Sequence, residues 1–213
     1  MITNKKIVIV DYGVGNLHSL IKAFQFCGAE VLVSEEAATI KKADVMVLPG
    51  VGSFEAGMRG LKLRGLVEAV REAAVADKPM LGICLGAQLM LSKGYEFGEF
   101  DGLGIMPGKV VRFPGLKENE KIPQIGWNGV YSKAGGSWGN SILANLPENF
   151  NAYFVHSYIL APDLPSQILG LTKYGEQEFC SIMKSGNIYA SQFHPEKSGQ
   201  AGLRIIKNFI DSI

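Results

Sequence analysis

Short runs of consecutive apolar residues alternate with amphipathic stretches through the first half of the chain. Ile7-Val8-Ile9-Val10 is apolar throughout, the pattern of a strand buried on both faces. Leu17, Leu20, Ile21, Phe24 and Cys27 follow at helical spacing, with Gly28 as a stop signal. Glu30 to Ser34 and Val45 to Leu48 predict a second and a third strand. Leu63, Leu66, Val67, Val70 and Ala74 predict one more amphipathic helix, and Met80 to Ile83 a fourth strand. Strands alternating with helices in this order imply a parallel sheet with helices on both faces.

From about Gly104 the texture changes. Shorter β-type segments succeed one another: Ile105 to Phe113, Ile125 to Tyr131, Asn151 to Tyr158, Ile168 to Tyr174, Glu178 to Met183 and Ile188 to Phe193. Turn signals such as Ala134-Gly135-Gly136 and Ser185-Gly186-Asn187 lie between them. Antiparallel strands added to the parallel sheet fit this pattern. A last helix carries Leu203, Ile206, Phe209, Ile210 and Ile213 on one face. The expected organisation is a single α/β domain over residues 1–213, with a mainly parallel central sheet flanked by helices and an added antiparallel region.

Composition narrows the function. Of 213 residues, 47% are apolar and 19% charged, a balance that supports a sizeable core. A net charge of +1 gives no electrostatic reason to bind nucleic acid or an acidic membrane. The longest uncharged apolar stretch, Pro79 to Ser92, is shorter than the ~18 residues a membrane span needs. The segment before Asp11 has too short an apolar run for a signal peptide, and three widely spaced cysteines argue against a disulfide framework. A cytoplasmic protein is the expectation. Glycine is abundant at 26 residues, about 12% against a usual ~7%, and its placement without a period asks for tight backbone turns.

The window Lys78-Pro79-Met80-Leu81-Gly82-Ile83-Cys84-Leu85-Gly86-Ala87-Gln88 sets Cys84 between the end of a strand and the start of a helix, in a G-x-C-x-G elbow. Gly82 and Gly86 lack Cβ atoms, so the turn has room to close. The N–H of Leu85 points to where an oxyanion would form. A buried, inert cysteine is the alternative, and Cys27 and Cys180 fit that description. In Gln192-Phe193-His194-Pro195-Glu196, proline keeps His194 extended, which puts the His194 and Glu196 side chains on one face. Cys84, His194 and Glu196 therefore supply a nucleophile, a base and the carboxylate that orients it. His18 reads as a surface residue at the first helix. His156, in an aromatic β-stretch, reads equally as a core histidine, a substrate contact or an interface residue. His and Cys spacing gives no zinc-type pattern.

Four segments now come in a telling order: Asp11-Tyr12-Gly13-Val14-Gly15-Asn16, Leu48-Pro49-Gly50-Val51-Gly52-Ser53-Phe54, the Cys84 elbow, and Gln192 to Gly199. With them the chain resembles the class I glutamine amidotransferases over nearly its whole length. Gly126-Trp127-Asn128 and Phe154-Val155-His156-Ser157-Tyr158 narrow the resemblance to the group serving as glutaminase subunits of imidazole glycerol phosphate synthases. It implies a flavodoxin-like fold and hydrolysis of L-glutamine to glutamate and ammonia, with Cys84 as nucleophile, His194 as base and then acid, and Glu196 as its orienter. Gly50, Val51 and Gly52 would form an oxyanion strand beside Leu85, after a peptide rearrangement. Gln88, Ser157 and Tyr158 match positions that hold glutamine. Asn16, Gln124, Trp127, Tyr153 and Lys197 match the face toward a synthase partner, although Trp127 also fits a core aromatic and Asn16 a helix N-cap. No metal or cofactor is implied.

The partner in that group is a separate (βα)8 barrel cyclase subunit. It uses the ammonia in histidine biosynthesis, yielding imidazole glycerol phosphate and an aminoimidazole carboxamide ribotide. Pro123-Gln124-Ile125 departs from the usual Pro-His-Met and resembles relatives that feed ammonia to sugar amidotransferase synthetases of bacterial surface polysaccharides. A cysteine hydrolase without a partner and a non-catalytic regulatory module on the same fold are the remaining alternatives.

Overall fold

A computed structural model describes residues 5–15, 17–114, 121–133 and 138–213. Its order is β1 (Ile7–Val10), α1 (Leu17–Phe26), β2 (Val31–Ser34), α2 (Ala37–Lys41), β3 (Val45–Leu48), α3 (Phe54–Leu63), α4 (Val67–Val75), β4 (Met80–Ile83) and α5 (Leu85–Leu89). There follow β5 (Leu91–Gly94), β6 (Phe100–Asp101), β7 (Met106–Arg112), β8 (Gln124–Val130), β9 (Phe150–His156), β10 (Tyr158–Pro162), β11 (Ile168–Tyr174), β12 (Gln177–Ser185), β13 (Ile188–Ser191) and α6 (Gly199–Asp211).

The main sheet runs β2-β1-β3-β4-β13-β12-β10-β7-β5-β6, with β11 on the other side of β12. Strands β2, β1, β3, β4 and β13 are mutually parallel. Antiparallel pairing begins where β13 meets β12 and continues through β10 and β7. Strands β8 and β9 stand apart as a two-stranded antiparallel ribbon.

Side chains on a strand alternate between faces, and here each face meets its own layer. Val8, Val10, Met46 and Leu48 pack with Ile40, Phe54, Leu61, Val70 and Leu85 from α2 to α5. Ile7, Ile9, Val45, Val47, Leu81 and Ile83 pack with Leu20, Phe24, Ile206 and Phe209 from α1 and α6. This is why β1, β3 and β4 read as unbroken apolar runs: neither face meets water.

Three sequence expectations change. The helix drawn through Leu63 and Ala74 is two helices, α3 and α4, interrupted at Gly65 with φ +65°. Its apolar spacing persists across the break because Leu61 and Leu66 both turn into the same core. The strand drawn from Asn151 to Tyr158 divides at Ser157: β9 belongs to the ribbon, while β10 crosses to the main sheet and pairs with β7 and β12. Strands β5 and β6 carry Lys93, Glu99 and Asp101 around their pairing, so no apolar run announced them. The Ala134-Gly135-Gly136 signal lies outside the described residues.

Helix α6 closes against the 3₁₀ turn Pro195–Lys197 at Gly202, where a Cβ would fall 1.8 Å from the Pro195 carbonyl oxygen. Gly202→Ala is therefore expected to destabilise the fold by about 2 kcal/mol or more, the scale of forced overpacking against backbone. Chemical denaturation would measure it. A loss within ±0.5 kcal/mol, typical of unremarkable surface positions, would mean that the helix shifts freely away from the turn.

Candidate active site

Because β1, β3, β4 and β13 are parallel, their carboxyl ends share one edge of the sheet, where ligands bind in open α/β folds. The segments after them, Asp11 to Gly15, Pro49 to Ser53, Cys84 and Gln192 to Lys197, meet there. Pairing of Ile83 with Ser191 sets the register, and the Cys84 N–H donates to the Ser191 carbonyl at 2.7 Å. Residues more than a hundred positions apart are thus brought level.

Cys84 has φ 50° and ψ −107°, a left-handed conformation that costs a side-chain-bearing residue about 1–3 kcal/mol. Buried Ile83, Leu85 and Leu89 around it contribute about 1.5–3 kcal/mol each, which outweighs the strain. Gly86 makes the turn possible, because a Cβ there would lie 1.8 Å from the Leu48 carbonyl oxygen. Cys84 is 6% exposed, and its Sγ lies 3.8 Å from the Val155 carbonyl oxygen.

His194 and Glu196 are joined Nδ1 to Oε1 at 2.7 Å, with side chains 2% and 7% exposed. The Ser198 hydroxyl donates to the His194 carbonyl at 2.6 Å, and the His194 N–H donates to that of Tyr153 at 2.9 Å. The carboxylate on Nδ1 directs Nε2 the other way, and Nε2 is buried with no hydrogen-bond partner. Burial opposes protonation of the ring. Cys84 and Glu196 more than offset it and push the pKa up to about 10. A sulfur, an imidazole and an orienting carboxylate arranged in this way can attack an acyl carbon and pass the displaced proton to a leaving group. Such contacts are often loose before substrate binds.

Cys84 opens into a cavity of about 250 Å³ that Val51, Gly52, Gln88, Ser157 and Tyr158 also line. Glu96 lines it too, a residue that sequence reasoning passed over because the loop from β5 to β6 has no periodic pattern. Its Oε2 accepts from the Phe54 N–H at 2.7 Å at the start of α3, so a carboxylate is fixed at the cavity wall. A larger open cleft of about 690 Å³ by Phe26, Cys27 and Arg204 contains none of the Cys84, His194 and Glu196 constellation.

The backbone donors expected for an oxyanion do not face the cavity together. The Leu85 N–H, expected to face an oxyanion, donates at 3.4 Å to the carbonyl of Gly50. Tyr12, fully buried, donates its hydroxyl to the Pro49 carbonyl just before it. Burial, with a contribution from Cys84, raises the Tyr12 pKa and keeps the phenol a donor. Gly50 is the residue the site tolerates there, since a Cβ would meet the Tyr12 oxygen at 2.3 Å.

The residues matched to a partner face divide. Trp127 is 58% exposed, which removes the core-aromatic alternative. It sits edge-on to Tyr153 with ring centroids 6.1 Å apart, and the Lys197 ammonium lies 5.9 Å from the Tyr153 ring. Gln124, expected beside them, is instead 2% exposed. It faces inward opposite His156 on the ribbon, because residues two apart share a face and this one belongs to the core side. Asn16 lies outside the described residues.

His156 is a core histidine at the cavity margin. Its ring stacks on Phe113 at 5.6 Å, and Nδ1–H donates to the Tyr158 carbonyl at 2.9 Å. Burial pushes its pKa down from 6.5 to about 4; the Tyr158 bond works against this and nearby His194 adds to it.

The chain matches the family described as glutamine amidotransferase class-I over residues 8–213. It is 47% identical over 206 residues to imidazole glycerol phosphate synthase subunit HisH 1 of Legionella pneumophila (strain Lens), covering 95% of this chain and 97% of that one. It is 45% identical over 207 residues to the HisH subunit of Chlorobaculum tepidum, covering 96% and 99%. Among solved structures, one described as a glutamine amidotransferase superposes with a TM-score of 0.72 at 16% identity, covering 96% and 97%. The structure of PurLQS from Thermotoga maritima gives 0.71 at 15%, covering 98% and 99%. At those identities the structures establish the fold.

The depressed His156 pKa has a consequence for stability. The unfolded chain takes up this proton near pH 6.5 and the folded chain only near 4, so stability is complete above the first value and falls between the two. Thermal melts are expected to drop across that window, and His156→Gln to flatten the drop. Equal slopes for the two proteins would mean that His156 is not held neutral.

Proposed function

The chain belongs to the class I glutamine amidotransferases, and from that premise we propose that it is the glutaminase subunit of an imidazole glycerol phosphate synthase in histidine biosynthesis. The observation that carries the reading is the strained Cys84 elbow, which is held level with the buried His194–Glu196 pair and opens into a cavity walled by the Glu96 carboxylate.

Cys84 sulfur attacks the side-chain carbonyl carbon of glutamine, and the proton it loses passes to His194. The imidazolium, oriented by Glu196, returns a proton to the amide nitrogen as the carbon–nitrogen bond breaks. Ammonia leaves, and a glutamyl thioester remains on Cys84. Water, deprotonated by His194, then releases glutamate. Glu96 holds the α-ammonium group, with Gln88 and the Ser157–Tyr158 backbone fixing the rest of the amino acid. The tetrahedral oxyanion needs the Leu85 N–H and a second donor from Val51. Gly50 must therefore swing its carbonyl away from Leu85, and the resting chain is slow until it does.

Trp127, Tyr153 and Lys197 supply the docking face for a (βα)8 barrel cyclase, whose product chemistry consumes the ammonia. The departure at Gln124 supports no change of partner, because the residue is buried beneath that face rather than on it. The three free cysteines agree with a cytoplasmic setting. Among the described residues, no helix is long and apolar enough to cross a membrane.

Glutamate release, measured with the barrel cyclase and its phosphorylated ribulose-type acceptor, tests the reading. Stimulation is expected, and Cys84→Ala is expected to lower it by at least about a thousandfold, as for loss of a nucleophile that works in a triad. Stimulation by a surface-sugar amidotransferase alone would overturn the partner assignment. Retained turnover in Cys84→Ala would overturn the chemistry. Glu96→Gln is expected to raise KM for glutamine about tenfold or more with a smaller effect on kcat, since it removes a charge-assisted contact made in the ground state as well. An unchanged KM would exclude Glu96 from binding the ammonium.

A further inference from the structure

A buried polar chain runs from the glutamine-holding residues to the nucleophile, and its last link, Gln192, has no role in the steps above. The Tyr158 carbonyl accepts from His156 Nδ1 at 2.9 Å and from Gln88 Nε2 at 3.1 Å. Gln88 Nε2 also donates to Gln192 Oε1 at 3.2 Å, and Gln192 Nε2 reaches Cys84 Sγ at 3.8 Å. Gln88 and Gln192 are 5% and 0% exposed, so water does not compete for these groups.

The direction of this chain is fixed at one end. A backbone carbonyl only accepts, so Gln88 must turn its NH2 group toward Tyr158. The same NH2 group faces Gln192, which must answer with its oxygen, because two NH2 groups in apposition would leave donors unpaired in the interior. The second half of the Gln192 amide, its NH2, is then committed to the Cys84 sulfur. Register holds it there: Ser191 pairs with Ile83, so the next residues, Gln192 and Cys84, lie side by side. The Gln192 backbone is tied in turn to the Ser181 carbonyl at 2.9 Å.

We propose that Gln192 is a positioning residue for the nucleophile, donating a hydrogen bond that the sulfur keeps when it loses its proton, with Gln88 setting the orientation of the donating amide. The role rests on Cys84 being the nucleophile. The groups facing the sulfur leave a task for such a donor. Val155 presents a carbonyl oxygen, which repels a negative sulfur, and the Tyr12 phenol stays neutral and is spent on Pro49. His194, backed by Glu196, brings the charge that attracts it. An N–H from Gln192 offsets the Val155 oxygen without adding a second proton acceptor beside His194.

Alkylation of Cys84 by iodoacetamide in the full chain, followed by mass spectrometry of its peptide, reads the sulfur without requiring turnover. Gln192→Met keeps length and shape and removes the amide. Near pH 7 its Cys84 is expected to react about tenfold more slowly than wild type, the effect of one hydrogen bond to a charged group. Near pH 10, above the ~8.5 of an ordinary thiol, the two rates are expected to converge. Gln88→Met, which frees the Gln192 amide to turn over, is expected to fall between them near pH 7. It also serves if Gln192→Met does not melt cooperatively. Equal rates near pH 7, or a gap that persists unchanged near pH 10, would overturn the proposal, since the amide would then only fill space. A wild-type Cys84 that fails to react at either pH would overturn the nucleophile assignment, and this inference with it.

Discussion

The parallel register of β4 and β13 is the constraint on which the site depends. One backbone hydrogen bond, from the Cys84 N–H to the Ser191 carbonyl at 2.7 Å, continues the ladder one step past Ile83 and Ser191. Everything catalytic hangs from that step. Upstream of it the strands are buried on both faces and cannot slip without turning apolar side chains out of both cores. Downstream, Cys84 leaves the sheet in a strained turn, while the chain alongside runs through Gln192 to an extended His194 and then enters the 3₁₀ turn that holds Glu196. A one-residue slip would separate sulfur from imidazole whatever the local geometry of either segment.

That rigidity contrasts with the neighbouring strand end. After β3 the chain runs through Pro49 and Gly50, with the Tyr12 hydroxyl on the Pro49 carbonyl and the Gly50 carbonyl on the Leu85 N–H. The first contact is buried away from water. The second, at 3.4 Å, is long for an amide hydrogen bond, so it is the cheaper of the two to exchange. Cys84 and the His194–Glu196 pair are thus already set, while the Leu85 N–H is occupied by Gly50. On the proposed chemistry, it is this one peptide group that has to move.

The ribbon of β8 and β9 separates the inner and outer halves of the same motif. Its inner face carries Gln124, Phe154 and His156 into the core, and its outer face carries Trp127 and Tyr153 to the surface beside Lys197. Gln124 lies on the inner face. Its neighbour three positions on, Trp127, lies on the outer. Ser157 ends the ribbon, and the chain re-enters the main sheet beside the cavity at Cys84, so the exposed face at Tyr153 and the cavity wall at Ser157 and Tyr158 are consecutive parts of one strand path.

Much of this was legible in the residues. The apolar runs gave the parallel strands, because burial on both faces removes polar positions. The elbow glycines and the proline after His194 are local steric facts that travel with the chain. Cys84, His194 and Glu196 could be named for the same reason: each sits in a short motif whose backbone geometry is locally dictated. Other features were decided only by contacts between distant segments. The break between α3 and α4 leaves the apolar spacing intact. The bend at Ser157 has no sequence mark, and charges on β5 and β6 hide strands whose pairing lies at the sheet edge. Glu96 reaches the cavity because its loop folds back onto the start of α3, and Gln124 is inward because of its register against His156. By itself the sequence determined which backbone turns the site would use and which side chains would carry its chemistry. The tertiary structure decided which atoms face one another, because a hydrogen bond between residues a hundred positions apart depends on strand register, and register is set by the whole core at once.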